Sequence, residues 1–240
     1  MAQPTLTLIR NDADSGPGRL LTWAAAAGVA VRQVRADQGE PVPADADGID
    51  GLVLLGGGLL PDDDAKAPWL ADERALVASA LRHDVPVLGI CLGGQLLAHV
   101  GGGRVEGDHG LPERGVTELT LRPEAAGDAL LGELAMSRAT SGAPVIAVES
   151  HRDQMTVLPE GAVWLASSAR TPHQAFRLGE RAWGLQWHPE SSAERVAQWD
   201  RKTLREQGFD PDEVVRVAQE RDEELAQTWG PVFGRFLSLL

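Results

Sequence analysis

The stretch VPVLGICLGGQLLAHV, residues 85–100, changes its period in the middle. Val85-Pro86-Val87-Leu88-Gly89-Ile90 is a short apolar, β-branched run and predicts a buried strand. Leu92 to Val100 has helical spacing and closes at Gly101, so it predicts a helix. Cys91, the only cysteine of the 240 residues, falls on the join. A strand that turns directly into a helix is the unit of a parallel sheet with helical crossovers.

The same alternation surrounds this stretch. Apolar runs Leu6 to Ile9, Val29 to Val34 and Leu52 to Leu55 are bounded by turn residues, and Leu70 to Leu81 carries apolar positions at helical spacing. Strands that are apolar nearly throughout need cover on both faces, which predicts a doubly wound α/β sheet. From about Gly115 the texture shifts toward more sheet and less helix: Val116 to Leu121, Val145 to Val148, Ala162 to Ser167, Gln174 to Arg177 and Ala182 to Gln186 follow one another through short links. The last fifty residues read as helical. Ser191-Ser192 with Glu194 makes an N-cap signal, and Asp210-Pro211-Asp212-Glu213 opens another helix with proline at its first position. The division expected is a domain over residues 1–192 and a helical extension over 193–240 packed on it. Gly39 to Asp47 reads as a loop within the domain.

Composition narrows the function classes. A formal net charge of −13 and no concentrated run of Lys and Arg argue against nucleic acid. With 43% hydrophobic residues there is ample material for a core. Residues 2–10 lack a basic, long-apolar leader, and no run approaches the ~20 apolar residues of a membrane helix. A cytoplasmic protein is expected, with no membrane partner. One cysteine forms no internal disulfide and no multi-cysteine zinc site. His83, His99, His109, His151 and His173 show no paired-ligand spacing, so surface or helix-cap roles are expected for them and no metal. Asp62-Asp63-Asp64 reads as a solvated loop before a helix.

Gly89-Ile90-Cys91-Leu92-Gly93 has the spacing of the G-x-S-x-G nucleophile elbow with sulfur in place of oxygen. Such a turn strains the nucleophile's backbone and sets the sulfur at a helix N-terminus, whose dipole favours a thiolate. The five residues alone leave two readings equally open, a nucleophile and an inert core thiol. A base is offered by Gly184-Leu185-Gln186-Trp187-His188-Pro189-Glu190, where His188 ends a predicted strand and Glu190 is two residues on. By itself His-Pro-Glu is more often a surface turn. Leu54-Leu55-Gly56-Gly57-Gly58 runs a strand into three glycines without the G-K-[ST] of a phosphate loop. A bare turn is one reading of it. The other is a loop whose backbone N–H points at an oxyanion over Cys91, with the N–H of Leu92 as second donor.

Taken jointly, the glycines at 56–58, GICLGGQ at 89–95 and WHPE at 187–190 resemble the class I, triad-type glutamine amidotransferases. Glu149-Ser150-His151-Arg152-Asp153 resembles that family's S-H-G-D stretch, and the resemblance covers about residues 45–192. Within the family it is similar to the amidotransferase domain of GMP synthase. The resemblance implies a flavodoxin-like, doubly wound mixed sheet with helices on both faces, plus the C-terminal helices. It implies a Cys91–His188–Glu190 triad that forms a γ-glutamyl thioester, an oxyanion hole at Gly57 and Leu92, and a substrate site at Gly58, Gln95, Ser150, His151 and Arg152. No cofactor is implied. Four positions depart from the family pattern. Gly58 replaces a proline, Gly94 replaces a larger side chain, Arg152 replaces glycine and Trp187 replaces phenylalanine. Gly94 and Arg152 lead to the expectation of a basic, enlarged mouth that admits a bulkier or more acidic compound than glutamine.

The substrate expected is glutamine or a γ-glutamyl compound. After His188 only about fifty helical residues follow, with no nucleotide motif, so the ammonia acceptor is expected on a separate synthetase. Two alternatives stand beside this: a free-standing γ-glutamyl peptide or amide hydrolase, and a non-catalytic binding module. The apolar C-terminal positions Trp199, Phe209, Trp229, Phe233, Phe236 and Leu237 to Leu240 are expected to pack on the domain or to form a homodimer or partner surface.

Overall fold

Apolar strands with no polar face need helices above and below, and that is the arrangement found. In the computed structural model, which describes residues 3–240, a nine-stranded sheet carries the chain. Its strands are β1 (Thr5–Arg10), β2 (Ala30–Arg35), β3 (Gly51–Leu54), β4 (Val87–Ile90), β6 (Glu113–Leu121), β7 (Val145–His151), β9 (Val163–Ser168), β10 (Ala175–Leu178) and β11 (Ala182–Leu185). The order is β2-β1-β3-β4-β11-β10-β9-β6-β7. The first five in that order are parallel, and the pairings from β11 through β10, β9 and β6 to β7 are antiparallel. A small ribbon of β5 (Arg104–Glu106) and β8 (Gln154–Val157) stands apart. The expected mixed, doubly wound sheet is thus present, with its antiparallel half where the texture changes.

Alternation distributes the strand side chains to two cores. Val53, Leu55, Leu88 and Ile90 join a cluster with Leu20 and Ala24 of α1 (Arg19–Ala26) and with Trp229, Phe233 and Phe236 of α7 (Pro211–Leu237). Leu52, Leu54 and Val87 face the other way, against Leu76 and Val77 of α2 (Trp69–Arg82) and Leu97 of α3 (Leu92–Val100). Every residue of β3 and β4 is buried, as a two-sided strand requires. The remaining helices are α4 (Gly132–Ser141), α5 (Ala193–Val196) and α6 (Arg201–Glu206), and with α7 they make the residues after 192 helical as expected. Ser192 caps α5 and Asp210 caps α7, with Pro211 at its first position. α7 seats the C-terminal aromatics: Trp229 donates its Nε1–H to the Ile146 carbonyl (3.0 Å), and its ring lies 5.0 Å from that of Trp187.

Three features depart from the periodicity of the sequence. β5 is three residues long, too short for a pattern to register, and β8, Gln154-Met155-Thr156-Val157, lacks the apolar run of the equally short β3 and β4. α4 interrupts a region whose texture is that of sheet. Gly94 is not at a mouth: a Cβ there would meet the Leu185 carbonyl oxygen at 2.8 Å, so it lets α3 lie against β11 beneath the site. The expectation that Gly94 enlarges the opening is therefore overturned. The absent side chain is spent on helix–strand approach.

Candidate active site

The carboxyl ends of β3, β4 and β11 share one rim because the strands are parallel and in register, Leu54 opposite Gly89 and Leu185 opposite Ile90. Cys91 follows β4 with φ 51° and ψ −109°, a positive-φ conformation costly for a residue with a side chain. Its amide donates to the Leu185 carbonyl at 2.7 Å, so the ladder to β11 holds the strained residue in place. The glycines around it are demanded by contact. A Cβ on Gly89 would fall 2.3 Å from the Gly93 carbonyl oxygen, and one on Gly93 would fall 2.2 Å from that of Leu54. Leu92 opens α3, where the first-turn N–H groups lack intrahelical acceptors.

His188 lies just past β11, and its amide donates to the Val148 carbonyl (2.8 Å). Its Nδ1 is 2.7 Å from Glu190 Oε1. All three of Cys91, His188 and Glu190 are buried. A Cβ on Gly56 would sit 3.1 Å from His188 Cε1 and 3.4 Å from Cys91 Cβ, which sets sulfur and imidazole side by side under the glycine loop. Burial pushes the His188 imidazole down, but the Glu190 charge, the hydrogen bond to Glu190 and the Cys91 sulfur outweigh it and hold His188 well above its ordinary value. Gly57 packs against Leu92 and Asn11 on the same loop.

A cavity of ≈390 Å³ opens on Cys91 and reaches Gly57, Gly58, Gln95, Ser150, His151 and Arg152. Every residue expected at the site borders this cavity except Leu92, which adjoins it in sequence, and Glu190, which lines an adjoining hollow of ≈280 Å³ shared with Ser150 and His188. Gln95 is buried and donates to the Asp153 carbonyl (3.2 Å) and to Gln186 Oε1 (3.3 Å), tying α3 to the 150–153 segment. Arg152 is exposed at the rim and paired with Asp108 at 3.0 Å.

His151 departs from the surface or cap role expected of it. Its Nε2 lies 3.2 Å from Glu113 Oε2 and 3.3 Å from Glu149 Oε2, and all three side chains are buried. Burial pushes the ring down, yet the two carboxylates raise it to about 9, so a charged imidazole neutralises part of the buried acid. These three groups offer ligand-type atoms within 4.8 Å of one another, which sequence spacing did not reveal because they come from β6 and β7. Glu113 is held below its ordinary value: burial raises it, and the contacts with His151 and Ser168 prevail.

Other neighbours carried no strong signal in the sequence. Gln186 donates to the Cys91 sulfur at 3.7 Å, and the period of two from His188 could have singled it out. Gly18 has φ 46°, and a Cβ there would meet the Glu190 carbonyl oxygen at 2.2 Å, while the Arg19 amide donates to that oxygen at 3.0 Å. The start of α1 thus fixes the backbone of Glu190. Arg114, Thr203 and Gln207 border the main cavity from β6 and from α6 and the turn after it.

The family model for glutamine amidotransferase class-I matches residues 18–202, and the chain belongs to that family. The match exceeds residues 45–192, over which the motifs are legible. Among its relatives is a glutamine-hydrolyzing GMP synthase of Porphyromonas gingivalis, 41% identical over 154 residues, which are 62% of this chain and 26% of the relative. This chain thus spans about a quarter of the length of that relative. A separate subunit of the glutamine-hydrolyzing GMP synthase of Halobacterium salinarum is 37% identical over 150 residues, 62% of this chain and 69% of that subunit. Among solved structures, a glutamine amido transferase from Methylobacillus flagellatus superposes with a TM-score of 0.85 at 27% identity, covering 100% of this chain and 96% of the other.

Proposed function

We propose that this chain hydrolyses the γ-carboxamide of glutamine through a γ-glutamyl thioester on Cys91 and releases ammonia for a separate synthetase. The observation that carries the reading is Cys91, strained at a helix start, set beside an imidazole that Glu190 holds at 2.7 Å. The Cys91 sulfur gives its proton to His188 and bonds to the carbonyl carbon of the γ-carboxamide, moving the carbonyl electrons onto oxygen. The backbone N–H groups of Gly57 and Leu92 receive that oxyanion, each donor worth about 3 kcal/mol. The C–N bond then breaks as His188 returns its proton to nitrogen, and ammonia leaves. A water that gives its proton to His188 attacks the thioester, glutamate departs, and the proton returns to sulfur. Gly58, Gln95 and the segment Ser150 to Arg152 hold the amino-acid end.

The separate synthetase rests on the relatives named as a glutamine-hydrolyzing GMP synthase and as one of its subunits. The same proposal divides the chain into a 1–192 amidotransferase-like unit and a 193–240 helical extension, places it in the cytoplasm, and leaves its outer face to the synthetase or to a second copy of the chain. No helix among the described residues is long and apolar enough to cross a membrane. Incubating the purified chain with glutamine, with and without a GMP synthetase component, should liberate ammonia and glutamate in equal amounts. Cys91→Ser should lower that rate by at least ~10³. A glutamine-like diazo ketone should add its mass at Cys91 alone. Undiminished turnover by Cys91→Ser would refute the triad.

A further inference from the structure

The cavity that opens on Cys91 is bordered by two arginines, and they differ in how their charge is met. Arg152, exposed at the rim, has Asp108 at 3.0 Å. Farther round, Arg195 has Asp14 at 3.8 Å. Arg114 is partly buried and has neutral partners only. Its Nε donates to Gln207 Oε1 at 2.7 Å and its Nη1 to Ser150 Oγ, and among the described residues no carboxylate lies within ion-pair distance of it. Burial pushes its guanidinium below its ordinary value and the Arg152 charge adds to that, while Cys91 and Asp153 oppose it, so Arg114 feels the sulfur without being neutralised. The Asp153 carboxylate is itself engaged, accepting the Asp108 amide at 2.9 Å.

Neutral tethers orient a cation but leave its charge unmet, and an unmet charge out of bulk water is costly. With Nε and one Nη1 N–H engaged, the second Nη1 N–H and the two Nη2 N–H groups are left to meet an anion, and a guanidinium edge suits a planar carboxylate. We infer that Arg114, aimed by Ser150 and by Gln207 of the C-terminal extension, is a specificity-determining residue that binds a carboxylate of the γ-glutamyl substrate. This inference rests on the hydrolytic reading of the site and deepens it by naming a substrate feature. Two carboxylates have that chemistry: the α-carboxylate of the glutamyl half, and one carried by the departing amine. The extension becomes part of the binding site, since the turn after α6 supplies the Gln207 oxygen.

The test uses binding as well as turnover. On the full-length chain carrying Cys91→Ala, which cannot form a thioester, affinities are measured by calorimetry for glutamine, glutamine α-amide, γ-glutamylglycine and γ-glutamyl methylamide. Arg114→Met should weaken ligands bearing the recognised carboxylate about ten- to a hundredfold and leave the matched ligand without it unchanged. A loss for glutamine but not its α-amide assigns the α-carboxylate. A loss for γ-glutamylglycine but not the methylamide assigns the carboxylate of the amine. Arg114→Lys should recover part of the affinity, and Gln207→Ala should reproduce part of the loss, both with an unchanged unfolding midpoint. An equal loss for all four ligands, no loss for any, or no measurable binding before the change at Arg114 would overturn the inference. If the intact chain cleaves the γ-amide C–N bond of none of the four while carboxylate-dependent binding persists, the hydrolytic reading fails and the assignment of Arg114 stands.

Discussion

Single residues at this site are defined by charges that burial makes expensive. Glu190 raises the His188 imidazole through a 2.7 Å contact, so a proton stays on the ring well above its ordinary value. Glu190→Gln removes the charge and should move the alkaline limb of the pH–rate profile to lower pH, with kcat reduced by about 10³–10⁴. An unshifted limb in that variant would show that Glu190 does not set the imidazole. Glu73 is the opposite case. Wholly buried on α2, it has no charged partner among the described residues, and burial pushes its carboxyl up to about 8, the Asn11 amide only partly opposing. A carboxyl raised in the folded state makes the folded protein bind more protons than the unfolded chain between about pH 4.5 and 8, so stability falls as pH rises through that window. Glu73→Gln should therefore stabilise the protein by up to about 4 kcal/mol at pH 8 and by little at pH 4.5, read from denaturant midpoints at the two pH values.

At the scale of elements, the join of β4 to α3 works by backbone proximity. Gly89 and Gly93 let the first turn of α3 rest against the ends of β3 and β4, closer than any side chain allows. Gly93→Ala would place a Cβ 2.2 Å from the Leu54 carbonyl oxygen, and backbone on both sides cannot yield as a flexible side chain can. The variant should lose about 3 kcal/mol or more in chemical denaturation and most of the proposed glutaminase rate. This junction was the most legible part of the chain, because strand period, helix period and a triple of glycines all change within ten residues. β5, β8 and α4 were not legible. β5 is too short to repeat a period, β8 is half polar where β3 and β4 are apolar, and α4 shows mostly exposed or half-buried side chains. The strain at Gly18 was equally hidden, since nothing in Pro17-Gly18-Arg19 announces that its backbone will meet Glu190.

Across the whole molecule, the C-terminal helices hold the site from behind. Trp229 of α7 packs near Trp187, which immediately precedes His188, and bonds to Ile146 on β7. Trp229→Ala should cost about 3–5 kcal/mol and slow turnover through loss of His188 alignment, measured by thermal unfolding and by the pH–rate profile of the folded fraction. A destabilised but kinetically unchanged variant would confine α7 to packing. The order of the main strands and the two-sided burial of the parallel strands were determined by sequence, because each depends on period within a few residues, whereas the nucleophile turn and the histidine–glutamate pair became legible only when distant motifs were taken jointly as a family resemblance. Only the tertiary structure decided what lies between distant segments. It joins His151 to Glu113 and Glu149 in a buried ion cluster, gives Gly94 to helix packing in place of the mouth, and sets Arg114 on the same cavity as Cys91 with, among the described residues, only Ser150 and Gln207 as hydrogen-bond partners. Such charges and contacts meet through the pairing of β6 with β7 and the return of the C-terminal helices, and local periodicity carries no trace of which residues those pairings oppose.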